Sequence, residues 1–262
     1  MKKNSIFLFV LALLCLACQN GIEKTNRFPI KENGKWGYID KEGKIVINPQ
    51  FDMVGPFSEG LATVGFGDWQ NGKWGYIDKE GKFVINPQFK YAEDFSEGLA
   101  AVVINDKWGY IDKEEKVVIN PQFNYTLPFS EGLAAVMIDG KWGYIDKEGK
   151  FVINLQFEGA GEFSEGLAAV SKDYKWGYID KKGKFVINPL LEGAGIFSEG
   201  LAAVMIDGKW GYIDKKEKVV INPQFDEAGE FSEGLAAVRL GNIINGKWGY
   251  INKEGKYVWK AE

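Results

Sequence analysis

The apolar positions of this chain fall in short runs, each cut off by polar residues together with Gly, Asn or Asp. The stretch from Phe129 to Phe157 serves as a specimen. Leu133 to Ile138 is apolar, Asp139-Gly140 follows, and Lys141 to Ile145 carries Trp142 and Tyr144. Asp146 to Lys150 is polar and precedes a third run, Phe151 to Ile153. Runs of this length bounded by turn formers read as strands. Asp-Gly between two of them predicts a two-residue hairpin, because both central positions of a type I′ turn need φ > 0. The same turn is expected at Asp207-Gly208, Asn33-Gly34, Asn71-Gly72 and Asn245-Gly246. No segment shows a 3.6-residue period, so helix is not expected.

The unit this predicts is a three-stranded antiparallel meander. Trp142 and Tyr144 stand two apart and share one face of their strand, where such pairs are expected to stack as core between units. Gly143 between them is expected to let another backbone approach closely. The Asn-Pro-Gln-Phe phrases around Pro49, Pro87, Pro121 and Pro223 are read as strand ends, since proline removes a ladder donor. Glu115 and Glu217 replace the turn Gly, and Leu155 replaces the proline, while Leu190 follows an intact Pro189 in the Gln column.

The unit recurs. Lys-Trp-Gly-Tyr-Ile places its Trp at 36, 74, 108, 142, 176, 210 and 248, with spacings of 38, 34, 34, 34, 34 and 38. Phe-Ser-Glu-Gly-Leu-Ala keeps the same beat from Phe57, Phe95, Phe129, Phe163, Phe197 and Phe231. A fixed period in this range marks one supersecondary unit in tandem. The fold class expected is all-β: about seven 34–38-residue three-stranded units in an open β-solenoid-like stack. The alternative is a seven-bladed β-propeller, whose blades usually have four strands. Trp259 is expected to cap the last unit.

Trp to the next Phe is always 21 residues, and Phe to the next Trp is 13 except after Phe57 and Phe231, where it is 17. The extra residues therefore lie in the first hairpins of those two units. Longer tips on a rigid scaffold are where binding tends to sit, so Phe66, Trp69, Asn242 and Ile243 are the candidate binding residues. Trp36, Trp74, Trp108, Trp142, Trp176, Trp210 and Trp248 are read as structural.

Lys2 and Lys3 precede an apolar run, Ile6 to Ala17, that is short for a membrane span but suits a signal-peptide core. Residues 1–17 are read as a lipoprotein signal peptide, 18–27 as a short tether and 28–262 as the repeat domain. Leu-Ala-Cys at 16–18 resembles the lipobox of bacterial lipoproteins, although Cys15 stands where Leu is usual. That likeness implies acylation at Cys18 and a protein anchored to the membrane rather than spanning it. An ordinary cleaved signal peptide or an uncleaved anchor are the alternatives. The localisation expected is export, with a lipid anchor in the bacterial cell membrane or outer membrane.

Composition narrows the chemistry. Both Cys precede the repeats and there is no His, so Cys-His and Ser-His-Asp arrangements cannot form there. No catalytic residue, cofactor or metal is expected. Paired carboxylates remain conceivable, but the acids recur in register, at Asp40, Asp78, Asp112, Asp146, Asp180 and Asp214 or from Glu59 to Glu233. Residues copied so often suit turn formation. Calcium is disfavoured because the Gly-Gly-x-Gly-x-Asp spacing is missing. Without Lys2 and Lys3 the chain keeps 30 basic against 36 acidic residues and has no basic block, which argues against nucleic acid.

Lys-Trp-Gly-Tyr-Ile-Asp-Lys-Glu-Gly-Lys with its downstream Phe-Ser-Glu-Gly-Leu-Ala resembles the WG, or KWG, β-repeat family of bacterial proteins. The likeness runs from about Phe28 to the C-terminus. It implies an exported or surface β-repeat protein and supplies no catalytic residues. The function expected is a non-enzymatic, lipid-anchored scaffold binding a protein partner in the cell envelope. The alternative is a carbohydrate or cell-wall (peptidoglycan) binding module using exposed aromatics. An enzyme would require a cleft lined by residues outside the repeat consensus, and none is evident.

Overall fold

A computed structural model describes residues 26–68 and 71–261. Cys18, the leader and Trp69 lie outside them. The described chain contains no helix; it forms 26 strands in seven antiparallel sheets, taken in chain order. Sheets 1 to 7 cover 28–51, 53–89, 100–123, 125–157, 159–191, 193–225 and 227–260.

The tandem all-β array matches the sequence pattern, but the unit has an extra strand. Five of the seven sheets have four strands in up-and-down order. In sheet 4 these are Tyr125–Thr126, Ala134–Ile138, Lys141–Ile145 and Phe151–Phe157. The addition is the short strand ahead of the Phe-Ser-Glu-Gly turn, and in sheet 3 it shrinks to one bridge, Ala92 to Val102. The added strand has two residues in sheets 4, 5 and 7 and six in sheets 2 and 6, Met53–Ser58 and Gly193–Ser198, and neither length carries the alternation that would have announced it.

The expected strand end at Asn-Pro-Gln-Phe is corrected. Phe83–Phe89 and its counterparts run straight through the proline. Trp142 pairs with Phe157 and Tyr144 with Ile153, so Asn154, Leu155 and Gln156 bulge opposite Gly143 alone. A bulge lifts its residues out of the ladder, so proline there loses no bond. Gly143 is what the bulge leans on: a Cβ added to it would stand 2.5 Å from the Ile153 carbonyl oxygen. The close approach expected of this glycine is therefore real.

Six apolar clusters fill the six interfaces between consecutive sheets. Each contains the motif Tyr of one sheet and the motif Phe of the next. Tyr144 meets Phe163 edge-on at 4.9 Å, and its hydroxyl donates to the Gly161 carbonyl at 2.8 Å. From Tyr38 to Tyr212 these tyrosines are at most 1% exposed, so they and not Trp-Tyr pairs form the core. Among the motif tryptophans only Trp108 is buried, and the others sit at its margin.

The array has two uncovered faces. Tyr250, which has no following Phe, is 47% exposed, and Trp248 is 46% exposed. Trp259 lies against Tyr250 at 6.3 Å but is itself half exposed, so it caps this face only in part. At the other end Ile39 is half-buried, whereas its counterparts Ile77, Ile111 and Ile145 are fully buried beneath a preceding sheet. The array is thus open, as expected, but it is not straight. Burial raises the Glu162 pKa, and so do the charges of Glu230 and Glu93, each two sheets away. Sheets packed face to face are about 10 Å apart, which would leave roughly 20 Å between alternate members of a straight stack. Such charges would be largely screened. The inner strands therefore converge and the sheets fan out from them like blades.

Candidate functional site

The recurrent acids are occupied in holding the array together. Each Ser-Glu-Gly-Leu forms a two-residue turn with its Glu at positive φ, as at Glu131 (φ 53°) and Glu165 (φ 52°). The Glu97 carboxylate accepts from the Gly132 amide at 3.0 Å and pairs with Lys147 at 3.1 Å, both in the next sheet. The same two contacts recur from Glu59, Glu131, Glu165 and Glu199. The motif Asp is equally local: Asp146 Oδ1 accepts from the amides of Glu148 and Lys150. These carboxylates complete turns and interfaces, as their repetition suggested.

The two long hairpins depart from the expected turn. Asn33-Gly34, Asp139-Gly140 and Asp207-Gly208 have both residues at positive φ, as type I′ requires. Asn71-Gly72 and Asn245-Gly246 do not. There the left-handed residue is Gly67 or Gly241, and the Gly72 and Gly246 amides reach back to the Asp68 and Asn242 carbonyls at 2.7 Å. Four added residues favour this wider loop over a tight turn. Asn242 spends its side chain within the loop, accepting from the Ile244 and Asn245 amides. Ile243, 75% exposed, projects from it. Phe66 packs against Phe51 and Phe83 at 5.6 and 6.3 Å and is only partly exposed. Among the described residues no hydrogen bond or ring contact joins Phe66 to Asn242 or Ile243.

A cavity of about 550 Å³ lies elsewhere, at the inner edge of sheets 2, 3 and 4. Its walls include Thr63, Trp74, Tyr91, Glu93, Asp94, Trp108 and Tyr125. Tyr91 stacks on Trp108 at 6.4 Å with an interplanar angle of 21°, and Tyr125 meets Trp108 edge-on at 5.8 Å. Asp94 Oδ1 accepts the Thr63 hydroxyl at 2.9 Å. Tyr76 fixes the adjoining backbone by donating to the Glu93 carbonyl at 2.7 Å. Burial pushes the Asp94 carboxyl up to about 6, against the Thr63 bond, and Glu93 adds to the rise. The Glu93 carboxyl is raised by burial as well.

None of these non-tryptophan residues was a sequence candidate, although a signal existed. Thr63 occupies a column held by Ala in five other copies, Ala101, Ala135, Ala169, Ala203 and Ala237. Glu93 stands where Gly55, Gly161, Gly195 and Gly229 stand. Where the Tyr91 and Tyr125 column holds Gly159, the following Trp176 lies over it: an added Cβ would be 2.9 Å from that ring. A cleft lined by residues outside the consensus is therefore present. Reading the copies column by column would have found it.

Comparison with known proteins places the architecture. The model of the family described as WG containing repeat matches residues 36–68, 74–108, 108–142, 142–176, 176–210 and 210–242. No curated protein matches. The crystal structure of the eukaryotic initiation factor is similar in fold, with a TM-score of 0.54 at 12% identity over 90% of this chain and 85% of that one. A Kluyveromyces lactis Hsv2 variant, with loop 6CD replaced by a Gly-Ser linker, gives 0.51 at 9% identity over 90% and 95%. At such identities the likeness is one of fold alone. With six tandem matches spanning residues 36–242, the chain belongs to the WG-repeat family.

Proposed function

We propose that this WG-repeat chain is a non-enzymatic scaffold, exported and held by a lipid at Cys18, that binds a protein partner at the cell envelope. The observation that supports a scaffold is the use of the recurrent acids. From Glu59 to Glu199 each turn carboxylate is spent on the next sheet's amide and lysine. What varies between copies is surface: the long hairpin with Ile243, and the inner cavity. Anchoring rests on Leu-Ala-Cys at 16–18 after a signal-like apolar run. Among the described residues no helix is long and apolar enough to cross a membrane.

Labelled palmitate and membrane fractionation of Cys18→Ala test the anchor. Loss of label and release from the membrane are expected; unchanged label and fractionation refute it. Crosslinking from the native envelope with the intact lipoprotein tests the partner. One specific protein recovered with wild type, and lost on replacing the 66–71 and 240–245 hairpins, supports the reading.

A carbohydrate module is the second reading, favoured by the half-exposed Trp248, Tyr250 and Trp259 on the uncovered last sheet. Exposed aromatic faces stack on sugar rings. A saturable fluorescence change with peptidoglycan fragments, abolished by Trp259→Ala, would support it over the pure scaffold.

A further inference from the structure

We propose that the cavity at the inner edge of sheets 2–4 binds an alkylammonium group, held by the faces of Trp74, Tyr91, Trp108 and Tyr125 and neutralised by Glu93 and Asp94.

The cavity is built from departures. Thr63, Tyr91, Glu93, Asp94 and Tyr125 differ from most other copies of their columns, yet they come from three successive sheets and line one space. A scaffold alone needs none of them, since sheets 5 and 6 fill the Tyr column with Gly159 and Gly193 and close over it with Trp176 and Trp210. In sheets 3 and 4 tyrosines occupy that column and the rings stand as walls. Gly55 is matched to this: a Cβ there would come within 2.8 Å of Asp94 Oδ1.

The charge selects the ligand. The described lining includes two carboxylates and no lysine or arginine. Glu162 and Glu230, on the converging inner strands, are close enough to interact electrostatically with each other and Glu162 with Glu93, adding negative potential. Aromatic faces attract cations through the ring quadrupole, most strongly where the site is desolvated. An anion would be repelled, and a neutral sugar would leave the crowded carboxylates uncompensated. The volume, about 550 Å³, exceeds what a bare headgroup fills, so the ligand carries a body beyond its cationic end.

Binding should strengthen as pH rises through about 6, where Asp94 ionises, and Glu93, also raised by burial, acts in the same direction. Tyr91 and Tyr125 are the other titratable groups of the lining, and Tyr38, Tyr76 and Glu162 interact with its carboxylates from nearby, Glu162 in turn with Glu230. Tyr38, Tyr76 and Tyr125, all raised, stay neutral throughout, while Glu162 and Glu230, also raised, act in the same direction as Asp94.

The test titrates the purified full-length chain with choline, with butylamine, and with 3,3-dimethylbutan-1-ol, the uncharged isostere of choline. Tryptophan fluorescence and calorimetry report binding. Saturable binding of at least one ammonium and none of the alcohol is expected. Asp94→Asn and Glu93→Gln should each weaken it about tenfold or more, Tyr125→Leu should weaken it and Tyr125→Phe preserve it, all with unchanged circular dichroism. Equal binding of the alcohol, displacement by a neutral oligosaccharide, full affinity in both carboxylate variants, or no response up to about 10 mM of either ammonium would overturn the proposal. None of these outcomes depends on the anchor or on the protein partner.

Discussion

The carboxylate of Glu131 accepts the amide hydrogen of Gly166 at 3.1 Å, although 35 residues separate them. Lys181, in the same following sheet, pairs with that carboxylate at 3.1 Å and donates to the Glu131 carbonyl at 2.9 Å. Glu131 is held at positive φ to make this reach. Local strain is thus exchanged for a bond between sheets, once per repeat.

Glu131→Ala should lower stability by about 1–2 kcal/mol, since a hydrogen bond to a charged group is lost at a half-exposed position. Glu233→Ala is the control. The Glu233 side chain makes no hydrogen bond or ion pair among the described residues, and its replacement should change stability by no more than about 0.5 kcal/mol. Thermal denaturation of the two variants decides the point, and equal losses would remove the inter-sheet role.

Glu217 holds a turn position at φ 65° where other copies have Gly. Its side chain makes no hydrogen bond or ion pair among the described residues. Glu217→Gly should stabilise the protein by about 0.5–1 kcal/mol by removing left-handed strain. Glu115→Gly, at φ 66°, should gain less, because Glu115 accepts a bond from Gln88 at 2.7 Å. Urea midpoints measure both.

Gly143→Ala should cost about 3 kcal/mol or more, because the added methyl meets backbone rather than a yielding side chain. Tyr144→Phe should cost about 1–2 kcal/mol through loss of the bond to Gly161. Tyr250→Phe, at the uncovered face, should be nearly silent in the same denaturation assay.

Stability should peak in mild acid. Asp94, with Glu93, Glu162 and Glu230, has a raised carboxyl. Between the unfolded value near 4 and the folded one, the native state binds more protons, so stability falls as pH rises through that window. Asp94, going from 3.8 to about 6, contributes on the order of 3 kcal/mol of this fall. Asp52, Glu158, Glu199 and Asp226 are lowered, each chiefly by a hydrogen bond from a lysine. Their stabilisation is present above pH of about 4.5 and is lost as pH drops through their folded values. Thermal midpoints from pH 3 to 8 should show a maximum near pH 5. Added salt should flatten the acid limb most, since those pairs are exposed.

Much of the scaffold was legible from the chain. Trp-to-Phe counting located both long hairpins, and Gly143 announced a close backbone approach. The turn at Asn71-Gly72 was misread because its dipeptide is a hairpin signal only when the loop has two residues. Pro87 was misread because a bulge and a strand end look alike in sequence. The cavity stayed hidden for a different reason. Its residues stand out as departures when the copies are compared column by column, but they are scattered over three copies, and that they share one space follows only from the convergence of the inner strands.

Tyr250 and Ile39 leave the last and first faces uncovered, and this bears on how the protein could change size. A closed ring admits only the number of members its circumference allows. Here any added copy would meet a Tyr on one side and a Phe on the other, in a joint already made six times. Each joint is therefore the same as the last, and the number of copies is bounded by how far the converging inner strands let the fan turn rather than by a requirement that the ends meet.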